Sequence, residues 1–341
     1  MSAPPLDSDL RAALERALAE VGLGPAGAIE RRPSPYRTSF PIEELRVQRE
    51  GRGEVRLGCK RLAWEELEPP AQLAKPRFLH DPGREPAVYR SLLPAAPPGP
   101  PEFFGAAGDA HRQWLFFEWI EGRELFQVGE RELWEEAARW LGRFHATMAA
   151  DLDRYCQQAP LIEHDAAFYR VWIERASEFA ERRGDGSAAT VAWLRERHDE
   201  VVEALLAQPR TVLHGEFYAS NVLVCPPNCI KFPTQQAGNL MQFGDVARVA
   251  PVDWELAGVG TGLTDLAALV SGWDAADRDA LAAAYAAEPG VPRFTSRDLD
   301  LARLQVAIQW LGWAPPEWEP PEEKRHDWLG EAVALAEGLD L

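Results

Sequence analysis

The sequence predicts an α+β fold in two lobes, a small sheet-based lobe followed by a larger and mainly helical one. The chain has 341 residues, which suits two packed lobes, since domains typically hold roughly 100–200 residues. Short alternating segments dominate its first third, and long helical patterns dominate the rest. We therefore predict lobes at residues 1–120 and 121–341, with the boundary beside Gly122.

The first lobe is predicted to contain a leading helix and a sheet with one further helix. Apolar residues recur at helical spacing over 7–21, and a Gly-Leu-Gly-Pro run ends the pattern. Alternating segments at 43–48 and 54–60 predict strands, while 85–93 has helical spacing. The strongly apolar segment 113–120 predicts a buried strand.

Long amphipathic helices and a few short strands are predicted for the second lobe. The helical segments carry their apolar residues on one stripe, at the spacing of one helix face. Thr295 with Asp298 three residues later is typical of a capping pair before the last long helix. Helices are predicted over 130–150, 166–183 and 188–208 and near Leu263, Ala275 and Ser296, and strands over 211–213 with 221–224 and over 246–252.

The overall composition excludes several classes of protein. Apolar residues make up 46% of the chain and charged residues 26%, which is typical of a globular protein and excludes a disordered one. The formal net charge of −18 repels phosphate backbones, so we expect no nucleic-acid partner. No stretch approaches the roughly 20 apolar residues that span a bilayer, and the start lacks a signal-peptide layout. We expect a cytoplasmic protein with no membrane partner, either a monomer or a weak homodimer.

Two segments of the second lobe carry the residue types of a phosphoryl-transfer site. The first reads His-Gly-Glu-Phe-Tyr-Ala-Ser-Asn over 214–221, and the second reads Pro-Val-Asp-Trp-Glu over 251–255. Because the transferred group has a loose transition state, its catalysis consists mostly of alignment and charge neutralisation. One carboxylate must orient the acceptor hydroxyl, and oxygen ligands must hold Mg²⁺ against the phosphates. The two segments supply both kinds of group.

This order of residues resembles the aminoglycoside phosphotransferase and choline kinase family, whose loop reads His-Gly-Asp, four residues and Asn before a strand and an (Ile/Val)-Asp-Trp-Glu segment. The resemblance implies a bilobal protein-kinase-like fold with a small antiparallel sheet in the first lobe. It also implies Mg²⁺ and ATP, or GTP, as cofactors.

Carried over residue by residue, the resemblance assigns three catalytic positions. Glu216 stands at the catalytic-base position, and Asn221 and Asp253 bind the metal. His214 shapes the loop, and Asp265, which ends a glycine-rich stretch before Leu-Ala, pins it. Glu216 departs from the family, which has aspartate there.

The first lobe supplies a lysine and a glutamate for a kinase-like nucleotide site. Such a site needs a strand lysine near the α and β phosphates and a helix glutamate that holds the lysine. Lys60 shares a strand face with Gly58, and Glu85 opens the next helical pattern. We expect Lys60 and Glu85 to form an ion pair. The alternative is that Lys60 is solvated and that Glu85 only stabilises its helix as an acid in the first turn. Lys75 is a rival, but it precedes Pro76 in an irregular region.

Two further segments are expected to contact the nucleotide. The segment 115–122 resembles the family's hinge, in which Glu118 and Ile120 would read the adenine edge through main-chain atoms. A simple buried strand is the alternative. The segment 31–40 lies where a phosphate-covering loop is expected, yet it contains no glycine. Ser39 and its neighbours in this segment can donate hydrogen bonds to phosphate. A loop that is merely solvated is an equally good interpretation.

The predicted function is Mg²⁺-dependent transfer of the γ-phosphate of ATP to a hydroxyl of a small molecule. Glu216 keeps the charge of aspartate but adds a methylene, which moves the carboxylate by about a bond length. General-base assistance is typically worth ~10²–10⁴-fold, so a displaced base need not abolish turnover. The alternatives are a nucleotide-binding pseudokinase or sensor, and a small-molecule binder that has lost ATP.

The acceptor is expected, as in the family, between the catalytic loop and the carboxy-terminal helices. Tryptophans beside carboxylates in that region suit a sugar or an amine, by stacking and cation–π attraction. An aminoglycoside, a sugar, a macrolide and an amino alcohol all stay open. We expect Trp310 and Trp313 to pack in the core and Trp318 to be exposed. The tryptophans are Trp273, Trp310, Trp313, Trp318 and Trp328, and the acids are Glu317, Glu319 and Asp327.

One stretch departs from the family in length. Residues 225–246 form an insertion of unknown purpose where the family has a short hairpin, and we interpret it as a surface loop. Cys225 and Cys229 within it fall short of the four ligands of a zinc site. With Cys59 and Cys156, the four cysteines are too few for a disulfide framework, so free thiols are expected.

Overall fold

A five-stranded antiparallel sheet forms the first part of the molecule, which the computed structural model describes at residues 8–34, 39–49, 51, 53–225, 247–319 and 325–341. The strands are β1 (Ala26–Pro33), β2 (Ile42–Arg49), β3 (Gly53–Arg61), β4 (Phe103–Gly108) and β5 (Gln113–Glu118). They lie in the order β1-β2-β3-β5-β4, with antiparallel pairing between all neighbours.

The two faces of the central strand β3 differ in character. Leu57 and Cys59 are buried in a core that the sheet shares with helix α1 (Ser8–Glu20). Gly58 lies on the opposite face, because side chains alternate along a strand. A Cβ atom there would lie 2.4 Å from the Phe117 ring, so only glycine fits. One face of the sheet therefore packs in an apolar core, and the opposite face, which carries Gly58, can contact other parts of the molecule or a ligand.

Helices form most of the rest of the chain, as predicted. Helix α4 (Arg131–Ala149) is amphipathic, and its buried Trp140 and Phe144 stack on each other at 5.2 Å. Burial of such apolar surface stabilises this core. The helices are α2 (Pro69–Ala74), α3 (Arg84–Ser91), α4 (Arg131–Ala149), α5 (Leu152–Gln158), α6 (Ala166–Arg183), α7 (Ser187–Leu206), α8 (Leu263–Leu269), α9 (Ala275–Ala286), α10 (Ser296–Leu311) and α11 (Trp328–Gly338).

Two small sheets hold the segments that the sequence analysis selected. One contains β6 (Arg123–Glu124), β9 (Val222–Cys225) and β10 (Arg248–Pro251), and the other contains β7 (Ile162–Glu163), β8 (Arg210–Leu213) and β11 (Gly258–Thr261). The loop 214–221 runs from β8 to β9, and the segment 252–257 runs from β10 to β11. Because β8 pairs with β11 and β9 pairs with β10, the two segments lie side by side.

The structure confirms the α+β class and most of the predicted elements. Helices α8, α9 and α10 begin at the predicted residues, and Thr295 and Asp298 form a reciprocal capping box. Strands β1 and β4 were missed. The first is an exposed edge strand with few apolar residues, and the second is rich in glycine and alanine, so neither shows a clear alternation.

Several predictions concern residues that the structure does not describe. They are the phosphate-loop residues 35–38, most of the insertion at 226–246 with its Cys229, and residues 320–324. Cys59 and Cys156 are free thiols, as expected. Among the described helices, none is long and apolar enough to cross a bilayer.

Candidate active site

Lys60 joins two carboxylates that come from distant parts of the chain. Its Nζ lies 2.7 Å from Glu85 Oε2 and 2.6 Å from Asp253 Oδ1. Lys60 and Glu85 are buried, whereas the Asp253 side chain keeps 20% exposure. Charge-assisted hydrogen bonds of this kind are about twice as strong as neutral ones. The structure therefore brings together the predicted lysine, the predicted glutamate and a predicted metal ligand.

The backbone around Asp253 is held in an uncommon conformation. Asp253 has φ of +68°, in the left-handed region that few residues other than glycine adopt. Such a conformation costs of order 1–3 kcal/mol and persists only where the surroundings fix it. The neighbours supply that restraint, because Val252 N donates to Asn221 O at 2.9 Å and Trp254 N donates to Glu85 Oε1 at 3.1 Å. In this conformation the Asp253 carboxylate contacts Lys60.

Hydrogen bonds within the loop fix Asn221 and Glu216 relative to each other. Asn221 Nδ2 donates to Glu216 O at 2.9 Å, and Asn221 N donates to Tyr218 O at 2.8 Å. Tyr218 N in turn donates to Glu216 O at 2.7 Å. Because the Asn221 amide nitrogen is engaged, its oxygen is the group that remains for a ligand.

Asp265 anchors the start of this loop, in the position that the resemblance implied. Its Oδ2 accepts from His214 N at 2.7 Å, and its Oδ1 accepts from Gly215 N at 2.9 Å. His145 lies 3.2 Å from the same carboxylate. Gly215 has φ of +87°, and a Cβ there would lie 2.1 Å from Leu256 O, so the turn requires glycine.

The charges of the site perturb one another. Burial, together with the negative charges of Asp253 and Glu255, raises the pKa of Glu216 to about 8. Burial also raises the pKa of Glu85 to about 7, against the opposing effect of Lys60. Burial opposes the ionisation of Asp253 as well, but the Lys60 ammonium outweighs it and lowers the Asp253 pKa. Negative charge therefore exceeds positive charge here, a condition that favours binding of a cation.

Lys75 and Glu255 form a contact beside the site that the sequence analysis did not predict. Lys75 Nζ donates to Glu255 Oε2, and both side chains are buried. Lys75 Nζ also lies 5.2 Å from the centroid of the Phe40 ring, and Lys60 Nζ lies 5.7 Å from it. Lys75 lies in no strand, as predicted, but at the end of helix α2, where the ion pair with Glu255 fixes its side chain.

A cleft of about 1180 Å³ opens beside Lys60. It is somewhat larger than the usual ligand pocket of ~300–1,000 Å³, so it has room for a nucleotide. The predicted residues Lys60, Glu85, Asn221, Asp253, Glu118, Ile120 and Ser39 all line it. Glu216 is not among the lining residues, although its carbonyl is bonded to Asn221. The cleft therefore gathers the predicted nucleotide and metal residues and leaves the predicted base beside it.

Glu118 has a structural contact in addition to its place in the cleft wall. Its carboxylate accepts from Arg248 Nη1 at 2.8 Å and from Arg248 Nη2 at 2.9 Å. Arg248 also donates to the carbonyls of Gly99 and Pro100. This bidentate pair ties β5 of the large sheet to β10 of the small one. The Glu118 side chain therefore fixes the wall.

Part of the cleft wall is charged, which the sequence analysis did not predict. Glu44 is buried, and its Oε1 accepts from Arg56 Nε at 2.5 Å and from Arg46 Nε at 2.9 Å. Arg56 Nη2 lies 2.6 Å from Glu121 Oε1 in the connection that follows β5. All four residues line the cleft. The signal was present in the alternation of Glu44 and Arg46 along β2, on the face opposite Leu45 and Val47.

A strand lysine paired with a helix glutamate, next to an asparagine loop and a second aspartate, is the constellation of kinase-type phosphoryl transfer. Together with the small antiparallel sheet and the larger helical part, it defines the class of this protein as a protein-kinase-like phosphotransferase. Residues 70–230 match the model of the phosphotransferase enzyme family, which confirms the predicted resemblance.

Solved structures show the same fold over nearly the whole chain. The GDP complex of wild-type aminoglycoside 2'-phosphotransferase-IIIa is 13% identical, with 94% of this chain and 95% of that one covered and a TM-score of 0.55. Macrolide 2'-phosphotransferase MphH from Brachybacterium faecium is 18% identical, with 94% and 97% covered and a TM-score of 0.53. Choline kinase LicA from Streptococcus pneumoniae is 13% identical, with 98% and 99% covered and a TM-score of 0.51. No curated protein matches the chain in sequence.

Proposed function

We propose that the protein transfers the γ-phosphate of ATP, or of GTP, to a hydroxyl group of a small molecule in a Mg²⁺-dependent reaction. One observation carries this proposal: Lys60 is bonded to both Glu85 and Asp253 at the edge of a cleft that Asn221 also lines. We further propose that residues 1–120 and 121–341 act as the two lobes of a cytoplasmic enzyme, a monomer or weak homodimer without nucleic-acid or membrane partners.

The donor set around Asp253 fits a magnesium ion that phosphate oxygens would complete. Mg²⁺ usually takes one or two carboxylates from the protein and fills its other positions with water and phosphate. Accordingly, the part of the chain that is described holds no group of three or more His, Cys, Asp or Glu side chains suited to a metal. The Asp253 carboxylate and the Asn221 amide oxygen would hold the ion, which would neutralise charge on the phosphates. Asn221 is oriented for this by its bond to Glu216 O.

Lys60 would bind the α and β phosphates. It is held by Glu85 at 2.7 Å, and its second partner, Asp253, is the more exposed of the two carboxylates. A phosphate oxygen can therefore replace Asp253 as a partner while Glu85 keeps the ammonium in place. Ser39 would add a hydrogen bond to the phosphates, and main-chain atoms of Glu118 and Ile120 would contact the base.

Glu216 would accept the proton of the acceptor hydroxyl. Its pKa of about 8 makes it a stronger base, once ionised, than an ordinary carboxylate. The same observation favours a second candidate function, a nucleotide-binding pseudokinase, because a protonated Glu216 outside the cleft lining would accept no proton. Both candidate functions predict nucleotide binding, and only the phosphotransferase predicts transfer of phosphate to an acceptor.

The proposal is tested by a mass-spectrometric screen for phosphorylated products, with Mg-ATP and Mg-GTP over aminoglycosides, sugars, macrolides and amino alcohols. We expect Asp253→Asn to lower kcat about ten-thousandfold, since a metal ligand supplies several kcal/mol of transition-state stabilisation. The exposed Asp279→Asn removes the same charge and should leave kcat unchanged.

Transfer that persists in Asp253→Asn would contradict the proposed metal site. Binding of Mg-ATP in calorimetry without transfer to any acceptor would favour the pseudokinase, and loss of both would leave only a small-molecule binder.

A further inference from the structure

Arg84, the first residue of helix α3, is a buried cation outside the cleft lining. Its Nε donates to Pro160 O at 2.8 Å, and its Nη1 donates to Leu79 O at 2.8 Å and to Glu255 O at 2.7 Å. Within the described residues Arg84 forms no ion pair, so its hydrogen-bond partners are main-chain carbonyls. A buried charge is costly unless it is paired or hydrogen-bonded. The guanidinium therefore joins three segments of the chain that meet at the start of α3.

The first turn of α3 holds the segment that carries Asp253 at two successive residues. Arg84 Nη1 donates to Glu255 O at 2.7 Å, and the Glu85 carboxylate accepts from Trp254 N at 3.1 Å. Asp253 comes directly before them and has φ of +68°. Because a left-handed residue keeps that conformation only where its surroundings fix it, these two contacts help to hold the Asp253 backbone.

The same turn also places Lys60. The second oxygen of Glu85 accepts from Lys60 Nζ at 2.7 Å, so adjacent residues of α3 connect the strand lysine and the Asp253 segment. Arg84 fixes this turn against a further part of the molecule, because its Nε donates to Pro160 O in the segment that follows helix α5. A planar guanidinium that donates in several directions sets the distances between its partners, which a single flexible ammonium does not.

Arg84 and Lys75 both contact Glu255, but at different atoms. Lys75 binds the carboxylate, which ends a flexible side chain, whereas Arg84 binds the carbonyl, which is part of the main chain. Loss of the Lys75 contact therefore frees a side chain, and loss of the Arg84 contact frees the backbone two residues after Asp253.

We propose that Arg84 is a positioning residue, which holds the first turn of α3 on the segment 253–255 so that Lys60 and Asp253 are already in place when the Mg-nucleotide binds. This inference rests on the proposed phosphotransferase function and adds a residue to it. A site that is ordered before binding loses less free energy on binding. Misplacement of a catalytic group by about 1 Å can cost ~10²-fold in rate. Arg84 thus affects nucleotide affinity and phosphoryl transfer without contacting either substrate.

Arg84→Met tests the proposal through nucleotide binding and catalysis together. We expect the Mg-ATP Kd in calorimetry to rise about tenfold and kcat to fall about a hundredfold, while the acceptor KM stays within about twofold. Arg175→Met is the matched control, because the half-buried Arg175 donates to Gly312 O at 2.7 Å and to Trp313 O at 3.2 Å and does not line the cleft. It should lower Tm but leave the Mg-ATP Kd and kcat within about twofold.

Arg84→Lys and a double variant complete the test. Arg84→Lys keeps the buried charge but not the fork of donors, so it should fold and still raise the Mg-ATP Kd about threefold. In a Glu85→Gln background, Arg84→Met should raise the Kd by less than about threefold more, since both residues hold the same segment. An unchanged Kd in folded Arg84→Met and Arg84→Lys proteins overturns the inference. An equal loss in Arg175→Met, or a full effect of Arg84→Met in the Glu85→Gln background, also overturns it.

The Kd comparison separates this inference from the proposed function. If the unmodified protein binds Mg-ATP without transfer to any acceptor, a rise of about tenfold in the Kd of Arg84→Met supports the positioning role and refutes only the phosphotransferase function. An unmodified protein that binds no Mg-ATP overturns both.

Discussion

The molecule buries two lysines against carboxylates in neighbouring regions, Lys60 in the cleft and Lys75 behind it. Lys60 contacts two carboxylates and lines the cleft, whereas Lys75 contacts Glu255 and is not among the lining residues. Both ammonium groups lie within 6 Å of the same ring, that of Phe40. The same chemical pair therefore occurs twice, once open to a ligand and once closed to it.

The difference shows that access, rather than residue type, separates a binding group from a structural one. Asp253 keeps some exposure, so Lys60 can exchange that partner for a phosphate. Glu255 is buried, and its carbonyl accepts from the buried Arg84 at 2.7 Å, so the pair around Lys75 is closed on every described side. Removal of one partner of a closed pair leaves an uncompensated charge in a poor solvent.

The largest effect expected from this comparison is on stability. Lys75→Met should lower the free energy of unfolding by about 3–5 kcal/mol, because it leaves Glu255 buried and unpaired. The double variant Lys75→Met with Glu255→Gln removes both charges and should recover much of the loss. Urea denaturation of the three proteins measures this. Equal stability of Lys75→Met and the unmodified protein would show that the pair is not closed.

Lys60→Met should mainly affect activity. Loss of one group that stabilises the charged transition state typically costs ~10²–10³-fold in kcat. Lys75→Met, assayed at a temperature at which it is folded, should stay within about tenfold of the unmodified enzyme, since it leaves no phosphate contact missing. Steady-state kinetics over a range of Mg-ATP concentrations distinguishes the two. A comparable loss of kcat in both variants would show that Lys75 also acts in the site, and would contradict the distinction between a binding and a structural lysine.

The charges of both regions affect Glu216. We expect its substitution to change stability less than the lysine variants do, and in a way that depends on pH. Its pKa in the folded protein is raised from 4.5 to about 8, so the folded state binds the proton more tightly than the unfolded state. Stability should therefore fall as pH rises from about 4.5 to about 8, and the penalty is complete above that range. Glu216→Gln removes the ionisation and should raise Tm at pH 9, by about 2–4 °C for each kcal/mol recovered.

The measurement compares Tm at pH 5 and pH 9 in the presence of a chelator. At pH 5 the two proteins should differ little, since Glu216 is then protonated. The exposed Glu203→Gln on α7 is the control and should show no pH-dependent difference. A Glu216→Gln protein that is less stable at pH 9 than at pH 5, relative to the unmodified one, would contradict the raised pKa.

The pairing of Lys60 with Glu85 was predictable because a kinase-like site requires a strand lysine and a helix glutamate, and local rules identify both positions. The two-residue period of a strand puts Lys60 on the face of Gly58, and the helical pattern puts Glu85 in the first turn of α3. The pair of Lys75 and Glu255 was not predictable, because 180 residues separate the partners. No local period relates such positions, so only the packed fold could show the contact.

The sequence by itself determined the α+β class, most of the helices and the order of the catalytic segments, since these depend on periodicity and on residues adjacent in the chain. Beyond the pair of Lys60 and Glu85, the tertiary structure decided which charges meet and which are open to a ligand. The carboxy-terminal acids illustrate this: Glu317 was visible in the sequence, but its partner Arg182 comes from helix α6. Electrostatic interaction depends on distance and burial, and the chain sets both only when it folds.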